Sequence, residues 1–300
     1  MRSVEINNNQ LLPAEFDCSH EPAMWIRRFV DPKLFLEHCR EWLLRDELKN
    51  STMLAVMQLL IEEGNPFESP IYLATIETDA GIAGCAVRAP PDPIILSDMP
   101  VEAMPMLSAD VATVYEKLPV VTGMESEADA FTEHWIRQGK RQSTTKTHWR
   151  WYVLERAAPT GKSVPGALRL ADLSDIHLVR TWAQHFAHET RTSVDVVAYF
   201  ERRIQSGSLY IWESEERCSI VAVSGVTPNS VRISGLFTAP EFRRIGYATA
   251  TVAAVSRLML DAGRKYCLLF TEASDPFANR LYRNVGYRPM FDKVSICLSD

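Results

Sequence analysis

Residues 236–248, LFTAPEFRRIGYA, leave an apolar run that alternates as a strand does, cross Pro240 and enter a small-residue turn followed by a long helical pattern. Arg243, Gly246 and Ala248 stand in an RxxGxA spacing where that helix begins. The first turn of a helix leaves backbone N–H groups without internal partners and carries about half a positive charge, so a phosphate is stabilised there. Gly246 and the small Ala248 let the backbone approach such a group. Packing of a helix on a sheet favours small residues at the same places, so the turn needs a second segment before it points to a ligand.

The second segment is residues 271–292, TEASDPFANRLYRNVGYRPMFD. Its spacing predicts a helix over residues 276–285 that stops at Gly286, followed by a final strand. Taken together, the two segments resemble the acyl-CoA-binding and active-site motifs of the GNAT superfamily of N-acyltransferases, and the likeness in element order extends over residues 167–298. The resemblance implies that Leu236, Phe237 and Thr238 pair their strand backbone with the pantetheine arm of acetyl-CoA. It further implies that Arg244, Ile245, Gly246, Tyr247, Ala248 and Thr249, with Arg243 beside them, meet the pyrophosphate. Asn279 and Asp275 fall at further cofactor positions, and Tyr282 at the general acid. One departure is Asp275, where the family commonly has Asn; a carboxylate cannot donate the hydrogen bond that an amide can. Ala248 in place of a final glycine is a milder one.

These residue types suit the implied chemistry. An amine with a pKa of about 10.4 is mostly protonated at neutral pH, so a base must free it, and a phenol of pKa about 10 is well placed to reprotonate a departing thiolate. Tyr282 fits the acid. Glu272, at the end of a strand predicted over residues 266–271 and on the face of Leu268 and Phe270, is the first choice of base. A surface carboxylate with a water relay is the alternative. The implied activity is direct transfer of an acetyl group from acetyl-CoA to an amine, and the alternative is a non-catalytic acyl-CoA-binding or regulatory module. The acceptor, a small molecule or a peptide amine, is not legible.

Other features weigh less. His185, His188 and Glu189 end a predicted helix and fit an acceptor wall or a plain polar helix end better than a metal site, since no third ligand is fixed by spacing. Trp182, Phe186 and Trp212 read as core or pocket wall. There is no GxGxxG, complete P-loop or GxSxG.

The chain divides best at residues 157–166, AAPTGKSVPG, where prolines and glycines interrupt every pattern. Before this linker the patterns predict helices over residues 32–49, capped by Asp31 with Pro32 at the first helical position, and 52–63, capped by Ser51. Strands at residues 71–77, 82–88 and 94–97, a helix at 101–116, a strand at Val120, a helix at 125–137 and a strand at 148–155 follow. After it come a strand at 167–170, helices at 173–188 and 193–205, strands at 209–213, 219–225 and 231–238, a helix at 246–262, and a strand, helix and strand to the end. The two halves share this order, which suggests a structural duplication. The expected fold class is α/β (α+β), with two GNAT-like domains, each a mixed, mainly antiparallel sheet flanked by helices. Residues 1–156 would be a degenerate copy without the cofactor motif, and residues 167–300 the catalytic one.

The whole has 300 residues, 46% hydrophobic and 23% charged, which suits packed domains and excludes filament or disorder. No apolar run spans a bilayer, and residues 1–10 do not form a secretory leader, so a cytoplasmic protein without a membrane partner is expected. The Asn50-Ser51-Thr52 sequon then has no glycosylation machinery to meet. Six cysteines lie far apart, as free thiols rather than a zinc or disulfide framework. The net charge of -6 divides into -9 for residues 1–156 and +3 for the rest. A mildly basic second half fits a small polyanion and not duplex nucleic acid. A homodimer is compatible with this composition.

Overall fold

The computed structural model describes residues 23–65, 69–139, 142–157, 164–190 and 195–299. The first half runs β1 (Trp25–Phe29), α1 (Pro32–Arg45), α2 (Glu47–Glu63), β2 (Tyr72–Thr78), β3 (Gly81–Arg88), β4 (Ile94–Leu96), α3 (Met104–Ala112), β5 (Val120–Gly123), α4 (Glu125–Arg137) and β6 (Gln142–Leu154). The second repeats that series as β7 (Ala167–Leu170), α5 (Ile176–Thr190), α6 (Val196–Gln205), β8 (Leu209–Glu213), β9 (Arg217–Ser224), β10 (Ser230–Thr238), α7 (Tyr247–Asp261), β11 (Tyr266–Glu272), α8 (Pro276–Val285) and β12 (Arg288–Ser299). The duplication of element order is present, with short 3-10 turns before α3, α5 and α7.

All twelve strands join one sheet in the order β1-β2-β3-β4-β5-β12-β6-β11-β10-β9-β8-β7. The two halves therefore exchange their last strands. β6 pairs with β11 of the second half, β12 pairs with β5 of the first, and the two exchanged strands form a long antiparallel ladder from Arg288↔Val153 to Ser299↔Gln142. Pairing is antiparallel throughout except at β4–β5 and β10–β11, which occupy equivalent places in the two series.

Alternation along the strands sorts the helices onto two faces. Val294 and Ile296 of β12 pack with α3 and α4, while Tyr152 and Leu154 of β6 pack with α7 and α8. Since Val294 sits opposite His148, two steps of two from Tyr152, these four helices share one face. The other face carries α1 and α2 over β2–β4, and α5 and α6 over β8–β10. Between those two helix pairs the sheet presents Trp149, Trp151, Phe270, Phe291 and Lys293.

Local chemistry explains most boundaries. Asp31 caps α1 by accepting from the Lys33 N–H, Pro32 opens it, and Phe35, Cys39 and Leu43 recur at helical spacing to form its buried stripe. α1 ends at Arg45, earlier than its pattern predicts, because Asp46 leaves helical geometry and caps α2 by accepting from the Lys49 N–H. Ser51 is thus not the cap expected of it: it lies inside α2 and donates to the Leu48 carbonyl at 2.8 Å. Asn50 is buried and donates to the Leu43 carbonyl at 3.0 Å, which closes the sequon to a glycan in this fold. The strand β1 has no counterpart in the sequence reading. It is an outer strand with mostly exposed residues, including Arg27 and Arg28, so it lacks the apolar alternation that marks half-buried strands.

Cys39, Cys85, Cys218 and Cys267 are buried free thiols, and Cys297 is half-buried. No helix of the described residues is long and apolar enough to cross a membrane. Residues 158–163 of the expected linker and residues 193–194 at the expected start of α6 lie outside the described residues.

Candidate active site

β10 and β11 pair over Ser230–Tyr266, Val231–Cys267 and Arg232–Leu268, and no further. Beyond those pairs the strands part into a wedge. A break in the β9–β10 register between Ser234 and Phe237 accompanies the parting. On the side facing β11, the β10 backbone from Ile233 to Thr238 has no ladder partner, a row of donors and acceptors suited to an extended amide-bearing chain. Leu236, Phe237 and Thr238 lie in this row. The Phe237 side chain is fixed in the core against Trp182, with ring centroids 5.9 Å apart, and the Thr238 hydroxyl meets that of Ser219 at 2.9 Å.

The wedge opens towards the start of α7. Gly246 holds φ +119° there, a left-handed conformation that favours glycine, and an added Cβ would come within 3.1 Å of Val164. Arg244 is also left-handed at φ +63°. Gly246 offers no capping side chain, and the first backbone bond of the helix is donated by Ala250 to the Gly246 carbonyl. The N–H groups of Tyr247, Ala248 and Thr249 precede that bond. Ile245 is exposed, and Tyr247 is buried with Trp212 and Cys218, which anchors the turn. Arg243 has its own partners: it donates to the Thr238 carbonyl at 2.9 Å and to both carboxylate oxygens of Glu189 at 2.8 and 3.0 Å. It ties the end of α5 to the turn, so its guanidinium serves the turn's shape, while the N–H groups around Gly246 are what remains open to an anion.

Tyr282 is brought against this region by α8. Its ring centroid lies 6.0 Å from that of Tyr152 and 6.2 Å from that of Tyr287. Tyr152 donates to the Asn279 carbonyl oxygen and the Tyr287 hydroxyl meets Ser256 at 2.7 Å, whereas the Tyr282 hydroxyl has no hydrogen-bond partner among the described residues. Burial, with smaller contributions from Asp275 and Tyr152, pushes the Tyr282 phenol up to about 12. Glu272 ends β11 in register with Trp149 and is exposed, on the opposite face of the sheet from α8. The sheet lies between the two expected catalytic groups, and the wedge is the opening in it.

Asp275 and Asn279, expected as cofactor contacts, are accounted for within the chain. Asp275 is the cap of α8, accepting from the N–H groups of Phe277 at 2.9 Å and Ala278 at 3.0 Å. Asn279 is buried, and its amide nitrogen donates to the carbonyls of Glu272, Ala273 and Asp275 while its oxygen accepts from Tyr152. A buried amide with every polar atom engaged has none to offer a ligand. Both residues fix the turn between β11 and α8 and so place Tyr282. The partnership of Asn279 with Tyr152 arises only through the exchange of β6, which no local pattern announces.

His185 packs its ring 6.3 Å from that of Phe237, and Phe186 meets Phe200 edge-on at 5.9 Å. Trp182 and Phe186 belong to the core under α5 and α6. Trp212 donates to the Pro165 carbonyl at 2.9 Å, holding the start of the second half near α7.

Residues 176–287 match the family model of the acetyltransferase (GNAT) family. A search of curated protein sequences finds no match. Among solved structures, a Drosophila protein superposes with a TM-score of 0.64 at 12% identity, over 91% of this chain and 98% of its own. A GCN5-related N-acetyltransferase from Sphaerobacter thermophilus gives 0.58 at 12% identity, over 92% and 95%. A tandem GNAT protein from the clavulanic acid biosynthesis pathway gives 0.52 at 12% identity, over 92% and 98%. At these identities the likeness is one of fold, and it extends along nearly the whole chain rather than the matched segment alone. Residues 176–287 thus match the model of the GNAT acetyltransferase family, and the chain as a whole has a fold like that of a tandem GNAT protein.

Proposed function

We propose that the chain is an acetyl-CoA-dependent N-acetyltransferase that moves the acetyl group directly to an amine, with residues 167–300 contributing the cofactor cradle. The observation that carries this reading is the β10–β11 wedge leading to the uncapped N–H groups of α7. The unpaired backbone of Leu236, Phe237 and Thr238 would hold the pantetheine arm, and the turn from Arg244 to Thr249 the pyrophosphate. Tyr282 would give its proton to the departing thiolate; with a pKa of about 12 it is protonated across the physiological range. Glu272 would take the ammonium proton on the other face, directly or through water.

Residues 1–156 are proposed as a degenerate copy. The strand equivalent to β10 is only Ile94–Leu96, and the equivalent helix α3 starts at Met104 with Pro105 in its first turn and no glycine turn before it. That half supplies β6 to the second half's sheet, so its expected role is to complete the site rather than to bind a second cofactor. The alternative, a non-catalytic acyl-CoA-binding or regulatory module, rests on Asp275 and on the missing cofactor motif of the first half; the helix cap accounts for Asp275, and the missing motif remains its ground.

Calorimetric titration of the full chain with acetyl-CoA and with free CoA, alongside an Arg244→Glu, Gly246→Asp variant, tests the cradle. Binding by the wild type and its loss in the variant is expected, together with amine-dependent CoA release. Binding of neither ligand by the wild type would end this reading.

A further inference from the structure

Two arginines stand at the closed end of the wedge without a carboxylate partner. Arg232 belongs to the last β10–β11 pair before the strands part, and its guanidinium lies 5.9 Å from the ring centroid of Phe270. Its one hydrogen bond among the described residues, to the Ser224 hydroxyl, is long at 3.4 Å. Arg203 comes from α6 and stacks over Tyr199 at 5.1 Å; its Nε is buried and has no hydrogen-bond partner. The hydroxyls of Tyr199, Ser234 and Ser224 form a chain between the two arginines, with contacts of 2.7 and 2.9 Å. Neither guanidinium is in an ion pair among the described residues.

The surroundings add to the anomaly. Burial lowers the pKa of Arg232, and the like charge of Arg203 acts in the same direction. Asp92, reaching over from the β3–β4 connection, is the carboxylate nearest in effect, but it makes no ion pair with Arg232, and burial pushes its own pKa up. A desolvated guanidinium without an anion is costly, and two that act on each other are more so. The arrangement makes sense if an anion arrives with the substrate. Beside it, Phe270 is 38% exposed and makes an edge contact with Trp149 at 5.5 Å, an apolar wall for the rest of the molecule.

We propose that Arg232 and Arg203 form a carboxylate-binding subsite at the closed end of the wedge, next to the aromatic wall of Phe270 and Trp149. The carboxylate is borne by the amine acceptor or by the acyl chain, and the same pair repels polycationic acceptors. The subsite rests on the reading of the wedge as an acyl-CoA site only for what the carboxylate belongs to.

Two ligand pairs decide it by calorimetry on the full chain: N-acetylphenylalanine against its primary amide for an acceptor carboxylate, and succinyl-CoA against acetyl-CoA for an acyl one. In one pair the carboxylate member is expected to bind about tenfold tighter or more, as a charge-assisted bidentate contact allows. That preference should fall below about threefold in Arg232→Met and in Arg203→Met. Arg203 sits on a half-exposed helix position, so its variant still reads the subsite if the Arg232 variant fails to fold. Equal binding within both pairs, or a preference that survives the folded variants, overturns the proposal. If neither CoA ester binds the wild type, the acetyltransferase reading falls, and N-acetylphenylalanine against its amide alone then decides the subsite.

Discussion

Glu47, the first residue of α2, accepts from the backbone N–H of Asn229 at 2.8 Å and from its side-chain amide at 2.6 Å, and Thr227 donates to the same carboxylate. The Asn229 carbonyl in turn accepts from the N–H groups of Lys265 and Tyr266, where β11 begins. A side chain of the first half thus holds the joint at which β10 and β11 start their parallel ladder, two pairs before the strands part at Arg232.

Removing that carboxylate should loosen the joint. Glu47→Ala is expected to lower stability by about 1–3 kcal/mol, the range for losing hydrogen bonds to a charged group, measured by urea unfolding. The pH dependence has a definite sign. Burial acts to raise the Glu47 pKa, but the hydrogen bonds from Asn229 and Thr227 together outweigh it, so the folded value lies below the ordinary one. Its contribution is full above the unfolded pKa of about 4.3 and is lost as pH falls through the folded value. Glu47→Gln should flatten that acid limb, and an unchanged limb would show that the contact contributes nothing in solution.

Tyr282 can be separated from its aromatic neighbours by stability and rate together. Its hydroxyl is unpartnered among the described residues, so Tyr282→Phe should leave stability within about 0.5 kcal/mol of the wild type, as for a change away from any buried bond. Tyr287→Phe breaks the bond to Ser256 and should cost about 1 kcal/mol. Only the first is expected to lower kcat, by about 100-fold, the low end for a lost general acid. With a phenol at about 12, kcat should show no alkaline fall from this group below about pH 11. A descending limb near pH 9 that disappears in Tyr282→Phe would contradict the structure.

How far the sequence reached depended on whether the signal was local. The helix α8 was readable to the residue because Pro276 opens it and Gly286 closes it, and α4 because its acidic first turn and apolar stripe coincide. The succession of β10, the Gly246 turn and α7 was readable because strand, glycine turn and helix follow one another within thirteen residues, 236–248. The exchange of β6 and β12 was not, since either strand would show the same alternation whichever neighbour it pairs with. For the same reason Tyr152, Arg232 and the Glu47–Asn229 contact were missed: each gains its meaning from a partner more than 25 residues away or from a void that only the fold defines. Asp275 looked like a departure from a ligand position because its local duty as a cap competes for the same residue types.

That duty can be tested against a cofactor role. Asn caps as well as Asp, so Asp275→Asn should change stability by less than about 0.5 kcal/mol, whereas Asp275→Ala should cost about 1 kcal/mol by thermal unfolding. Asn279→Ala removes four buried contacts and leaves the Tyr152 hydroxyl unsatisfied, so a loss of about 2–4 kcal/mol is expected. Acetyl-CoA affinity should follow that loss of order rather than precede it. A stable Asn279→Ala protein with abolished binding would return Asn279 to the cofactor.

The exchanged strands make a prediction about the halves themselves. A fragment of residues 167–300 keeps β12 but loses β6, which pairs with both β11 and β12, and loses β5, the other partner of β12. The β11 edge is then an unpaired row of backbone groups beside Phe270, and Tyr152 and Leu154 are gone from the core under α7 and α8. The fragment should therefore be unfolded or aggregated when expressed alone, by circular dichroism and size-exclusion chromatography. Co-expression with residues 1–156 should restore a soluble heterodimeric pair, because the ladders that join the halves need no peptide link between them. For the intact chain the same topology predicts one cooperative unfolding transition seen alike by fluorescence and dichroism, since neither half can lose its exchanged central strand without opening the core of the other. A well-folded 167–300 fragment, or two separate transitions, would mean that each half can supply its own last strand.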